Sequence, residues 1–332
     1  MVEPRAAFII LICLLLAAAL FSMAVGSVSL PVLEVARILV NMESEPIART
    51  IVLDIRLPRI LLAVLVGGGT ATAGAVIQGL FRNPLADPAL IGVSSGAALF
   101  AAGFLVFGVE TKWAASLGVP GSAFIGGLIA TWLVLEVGRR GGTMSSMLLA
   151  GIAINAIAIA GVGLFSYLST DVQLRSVAFW ALGSFNGADW SAVMIAAVIP
   201  VVVLLLFRES RNLNAITLGD QEAGHLGISV SRLRKRAIAY TALVVGIGVS
   251  LTGVIAFVGL VVPHLVRMTM GSNHYVVIPG SAALGSILLL LADSLSRYLL
   301  APAELPIGIL TSLLGGPFFI YLIVQQKGKL GI

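Results

Sequence analysis

Eight apolar runs of about 20 residues each, at 6–25, 60–80, 90–107, 121–137, 147–168, 191–207, 276–298 and 307–324, leave this chain one solvent to fold in. A helix needs about 20 predominantly apolar residues to cross the hydrocarbon core of a bilayer. A ninth run, 237–266, is 30 residues long; at 1.5 Å per residue it would reach roughly 45 Å, well past that core. Gly253, Gly259 and Pro263 interrupt it, so it reads as a full helix to about Ala256 and a short second helix ending near Arg267. The expectation is an all-α, polytopic membrane protein with ten transmembrane helices. The composition agrees, with 59% hydrophobic and 11% charged residues against about 45–50% and 25% in soluble domains. That excludes a disordered chain, a collagen-like repeat and an ordinary cytosolic enzyme. The 37 glycines suit close helix approach in lipid.

With ten spans and the N-terminus inside, thirteen Lys and Arg residues fall in cytoplasmic segments and seven outside. This bias places both termini in the cytoplasm. The basic excess then faces anionic headgroups rather than nucleic acid. Arg56, Arg59 and Arg297 are exceptions, at helix ends on the side that should be poor in charge. A faint repeat runs from Gly74-Ala75-Val76-Ile77 through Gly79-Leu80 to Pro84, and again from Gly253-Val254-Ile255 through Gly259-Leu260 to Pro263. Five helices per half would invert the halves, 6–168 and 191–324, within a single transmembrane domain covering 1–332; inverted repeats are a transporter habit. The first run has Arg5 ahead of it, as a signal peptide would. Its apolar stretch is longer than the usual 7–15 residues and Glu3 weakens the charge signal, so it reads as a span. Cys13, the one cysteine, is a small apolar filler there.

Three segments lie outside the runs. In 26–58, Leu33, Ala36 and Val40 oppose Glu34 and Arg37, the pattern of an interfacial helix on the outer surface. The link 169–190 reads as a short helix over the mouth of the bundle. The cytoplasmic insert 208–236 is the most hydrophilic stretch; within it Asp220 and Glu222 suit a helix N-terminus and Gly227 a C-terminal stop. A short amphipathic helix on such a loop is a docking element. No phosphate-binding glycine loop, H-E-x-x-H or C-x-x-C occurs, and His225, His264 and His274 are scattered. No catalytic residue, metal site or cofactor is therefore expected. Asp293, an acid inside a span, raises a proton-relay reading, but Arg297 four residues on makes a local ion pair the simpler one. This scarcity of intramembrane carboxylates argues against an ion-driven secondary carrier. Energy for uphill transport would enter from another subunit through the cytoplasmic insert.

Several ordered blocks then carry a resemblance. Arg56-Leu57-Pro58-Arg59, the stretch from Gln78-Gly79-Leu80-Phe81-Arg82-Asn83-Pro84 to Asp87-Pro88, Gly92-Val93-Ser94-Ser95-Gly96-Ala97, Leu149-Ala150-Gly151, Phe257-Val258-Gly259-Leu260-Val261-Val262-Pro263-His264 and Glu304-Leu305-Pro306-Ile307-Gly308 span most of the chain. Together they resemble the permease subunits of type II ABC importers for iron chelates, haem and cobalamin. The resemblance implies a homodimeric ten-helix permease in the bacterial cytoplasmic (inner) membrane, itself no enzyme. Its partners would be two separate ATPase subunits and one periplasmic or extracytoplasmic substrate-binding protein.

By position, the resemblance assigns Arg56, Arg59 and Arg297 to glutamates of the binding protein, since guanidinium forks suit carboxylates; headgroup phosphate or loop structure would also use them. It assigns Leu218, Gly219, Asp220, Glu222, Ala223, Leu226 and Gly227 to the ATPase-coupling element. Thr143, Met144 and Ser145 match the inner gate of a pathway lined by the helix 147–168, whose small residues serve tight packing equally well. Asn155 faces the lumen or bonds a neighbouring helix, and Arg175 steers an anionic ligand or caps the lid helix. The blocks 53–59, 78–88 and 149–156 look most like haem permeases. Ferric-siderophore permeases share much of them, and cobalamin permeases typically carry an acid where Arg82 stands.

Overall fold

Long apolar blocks joined by short polar or Gly/Pro links give helices throughout, and no strand occurs among the described residues. The computed structural model describes residues 3–26, 28–42, 45–108, 112–141, 143–301 and 303–330. In chain order the helices are α1 (Pro4–Ala24), α2 (Val32–Leu39), α3 (Pro46–Thr50), then a π-helical turn (Ile51–Arg56) running into α4 (Leu57–Phe81). A 3-10 turn (Pro88–Ile91) precedes α5 (Val93–Phe107), α6 (Lys112–Gly141) and α7 (Met144–Leu168). The second part holds α8 (Asp171–Ala181), α9 (Trp190–Ala196), α10 (Val198–Arg208), α11 (Ser210–Ile216), α12 (Asp220–His225), α13 (Val230–Thr252), α14 (Val258–Met270), α15 (His274–Leu299) and α16 (Ile307–Leu330). Seven helical stretches are long and apolar enough to cross a membrane, and three shorter apolar helices accompany them at Val93–Phe107, Val258–Met270 and Ile307–Tyr321.

The 30-residue run does divide into two helices, but four residues earlier than expected. Gly253 has φ +72°, outside the helical range, so α13 stops at Thr252 and residues 253–257 are unwound before α14. The run 191–207 is one span, Trp190–Arg208, as expected, with a one-residue break at Ala197 that divides it into α9 and α10. Pro200 has no N–H for the carbonyl four residues back, and α9 ends at Ala196. A helix does form in this segment, α2, but with a different buried face from the one expected: Val35 and Ile38 are 1% and 2% exposed, while Leu33 and Val40 point away. Packing against the bundle, not the local charge pattern, selects that face.

α4 is the central column, buried along most of its length. Its glycines allow two backbone contacts: Gly67 lies against Gly285 of α15, and Gly74 against the Gly259 carbonyl of α14. A side chain at either position would collide with backbone, so these crossings are specified by glycine. Pro88 also packs on Gly259, 3.0 Å from where a Cβ there would stand. The turn after α4 therefore folds back into the bundle. α7 is the opposite case, with Leu149, Ile152, Ile157, Ile159, Leu164 and Tyr167 all exposed.

Candidate functional site

Three features gather the residues singled out by the sequence. At one end of the bundle, the π-helical turn delivers Arg56 and the first turn of α4 delivers Arg59, while Arg297 comes from the last turn of α15. All three are buried, at 4%, 6% and 5% exposure. Arg56 donates to the Met23 and Val28 carbonyls. Arg59 donates through Nε to Asp293 Oδ1 at 2.9 Å, and through Nη1 and Nη2 to the two carboxylate oxygens of Glu304, both at 3.0 Å. Arg297 pairs with Asp293 Oδ2 at 3.2 Å and donates to Ser22 Oγ at 2.7 Å and the Val25 carbonyl at 3.2 Å. The i,i+4 pair expected of Asp293 and Arg297 is present, as part of a larger network. Three cations against two carboxylates leave the cluster itself with one positive charge in excess. The most accessible of these charges is Glu304, whose side chain is 27% exposed and lines a cavity of about 520 Å³ with Phe179, Ser184, Asn186 and Pro306. Glu304 carried no signal of this pairing in sequence beyond its place in the block that follows α15.

The second feature is α12 with its flanks. Gly219, at φ +134°, opens the helix, and Asp220 and Glu222 fall in its first turn. Gly227, at φ +79°, closes it, with the Ile228 N–H bonding the Ala223 carbonyl at 3.0 Å. Ala223 is buried, whereas Leu218 and Leu226 are 68% and 62% exposed on either side of the helix. Asp220 accepts from Arg82 at the end of α4 and from Arg234 of α13 at 2.5 Å. The loop is thus clamped to two long helices while presenting two apolar knobs.

The third is α7. Thr143 caps it, accepting from the Ser146 N–H at 3.1 Å, and Ser145 is exposed. Met144 begins the helix rather than preceding it; its side chain lies outside the described residues. Asn155 is exposed and makes no hydrogen bond to a neighbouring helix among the described residues. Arg175 is exposed on α8, the short helix expected over the mouth, which is capped by a reciprocal Thr170–Gln173 box. The structure does not bring Arg175 together with the α12 or Arg59 clusters. Among the described residues no group of three or more His, Cys, Asp or Glu side chains could hold a metal ion.

Comparisons with known proteins address the whole chain. The model of the FecCD transport family matches residues 14–325. The hemin transport system permease protein of Yersinia pestis is 45% identical over 331 residues, 98% of this chain and 97% of that one. A vitamin B12 import system permease protein of Escherichia coli is 42% identical over 285 residues, 85% of this chain and 86% of that one. A solved structure described as an inward-facing conformation of a metal-chelate type ABC transporter superposes with a TM-score of 0.86 at 33% identity, covering 97% of this chain and all of that one. With helices that suit a bilayer and a match over nearly its full length, the chain belongs to the FecCD transport family and is a polytopic permease of a type II ABC importer.

Proposed function

We propose that this permease carries haem, or a closely related iron chelate, into the cytoplasm by alternating access. The observation that carries the ligand is the 45% identity with the hemin permease, sustained over 98% of the chain. The working unit is a homodimer with two ATPase subunits and a substrate-binding protein outside, in the cytoplasmic membrane, both termini inside. Ten spans in two inverted halves, 6–168 and 191–324, build it around the coupling loop 208–236. ATP hydrolysis resides on the separate subunits. In this reading Leu218, Gly219, Asp220, Glu222, Ala223, Leu226 and Gly227 receive the ATPase, with the exposed Leu218 and Leu226 as anchors. Movement of α12 is passed to α4 and α13 through Arg82 and Arg234.

Docking of the binding protein falls at the end holding Arg56, Arg59 and Arg297. Because all three are internally engaged, docking works by exchange: a partner carboxylate takes the place of Glu304 on Arg59. The two copies of α7 flank the pathway, Thr143, Met144 and Ser145 at its inner end, Asn155 along it and Arg175 at its mouth. The experiment is ATPase stimulation of the reconstituted assembly by binding protein loaded with haem, ferric siderophore or cobalamin. Stimulation greatest with haem supports the assignment; stimulation by cobalamin alone would replace it.

A further inference from the structure

A crevice opens between the last turns of α6, the start of α7 and the first turns of α13, at the end of the bundle that carries α12. It encloses about 670 Å³, and its walls divide by chemistry. Trp132, Leu135 and Ile238 form an apolar part; Arg139, Arg234 and Lys235 form a basic part. The division runs the same way on both long helices. Arg139 stands seven residues beyond Trp132 on α6, about 10 Å along the axis, and Lys235 stands three residues before Ile238 on α13. The crevice therefore grades from apolar to cationic toward the end of the bundle.

The apolar part continues an exposed face of α6. Ile125, Leu128, Ile129, Leu133 and Val137 are all exposed there, and Trp132 is 61% exposed. Such a band suits hydrocarbon, and tryptophan concentrates where hydrocarbon gives way to headgroups. The basic part is short of acids. Glu136, the one acid in the lining, is shared between Arg139 and Arg140. Asp220, which engages Arg234 from outside the lining, is shared with Arg82. Lys235 is exposed and has no ion pair or hydrogen bond among the described residues, and Arg234 Nε is buried without a hydrogen-bond partner. An anionic amphiphile supplies what is missing: a phosphate for the cations and an acyl chain for the apolar wall. A second copy of the chain meeting this face across a two-fold axis would instead bring the same cations together.

We infer that this crevice binds one anionic phospholipid, its phosphate on Arg139, Arg234 and Lys235 and an acyl chain along Trp132, Leu135 and Ile238. The lipid bridges α6 and α13 beside the α12 loop, and the inference does not depend on the cargo.

The test is native mass spectrometry of the full-length permease in detergent, offered equal amounts of phosphatidylglycerol and phosphatidylcholine with the same acyl chains, alongside its thermal midpoint in each lipid. One phosphatidylglycerol per chain is expected to be retained, with an affinity at least about fivefold above that for phosphatidylcholine. It should raise Tm saturably, by roughly 2 °C at ten times its dissociation constant. Lys235→Gln and Arg139→Gln are each expected to weaken phosphatidylglycerol binding about fivefold. Trp132→Ala should weaken both lipids and leave the preference intact. Arg37→Gln, which removes an exposed cation on α2, should change nothing. Equal retention of the two lipids, or the same Tm rise from inorganic phosphate alone, would overturn the site. Undiminished phosphatidylglycerol binding by the Lys235→Gln/Arg139→Gln double variant would also overturn it, and if that variant had lost ATPase-subunit binding the crevice would belong to the ATPase instead.

Discussion

Glu304→Gln isolates the exchange proposed for docking. The carboxylate makes a bidentate pair with Arg59, at 3.0 Å for each bond, and the two side chains are 27% and 8% exposed. A charged hydrogen-bonded pair contributes about 1.5–3 kcal/mol when well shielded, and the exposure of Glu304 lowers this towards roughly 1 kcal/mol. Glutamine keeps the shape but forfeits most of that energy, while Arg59 keeps Asp293. Two consequences follow. Stability should fall by about 1 kcal/mol, or roughly 1–2 °C in Tm for a chain of 332 residues. An incoming carboxylate no longer competes with Glu304, so affinity for the substrate-binding protein should rise about fivefold, since 1.4 kcal/mol is about tenfold. Arg59→Gln should lower affinity by more than about tenfold, and it leaves Glu304 without its partner. The assay is surface-immobilised permease in nanodiscs titrated with the binding protein, alongside thermal unfolding of both variants. Unchanged or weaker binding by a folded Glu304→Gln permease would refute the exchange.

Gly74→Val would drive a side chain into the Gly259 backbone; the α4–α14 crossing should open and stability fall by about 3 kcal/mol or more, read as lost thermal unfolding cooperativity and poor yield. Asp220→Ala frees α12 from Arg82 and Arg234; these pairs are partly exposed, so stability should drop by less than about 1 kcal/mol, while transport per ATP hydrolysed falls several-fold in proteoliposomes. Asp189 caps α9, accepting from the Ala192 N–H at 2.8 Å and the Ser191 hydroxyl, and these bonds hold its carboxyl below the usual carboxylate range. Its folded pKa being depressed, its stabilisation is complete above about pH 4 and disappears as pH falls through the folded value. Asp189→Ala should therefore cost about 1 kcal/mol at neutral pH and less in strong acid, where only the neutral cap remains to be lost, measured as the Tm difference from wild type across pH.

Local signals in the sequence explain what was legible. The break after Thr252 announces itself through Gly253 and the excess length of its run, because both act on backbone within a few residues. The Asp293–Arg297 pair is a one-turn spacing, and the ends of α12 follow from Asp220 and Glu222 at its start and Gly227 at its stop. What escaped depends on distant chain segments. Arg59 meets Glu304 across 245 positions, and Arg82 meets Asp220 across 138. No spacing rule connects residues so far apart. The buried face of α2 is chosen by the bundle beneath it, and the turn at Pro88–Ile91 looks like the start of a span until Gly259 is placed against Pro88. The three arginines drew attention by charge in an unexpected place; their burial and internal partners are matters of packing.

The most direct test of the account is uptake into proteoliposomes containing this permease with its ATPase subunits and binding protein. Haem entry is predicted to require ATP on the ATPase side, to stop with a hydrolysis-deficient ATPase, and to be indifferent to imposed proton or sodium gradients. Gradient-driven uptake in the absence of ATP would contradict it.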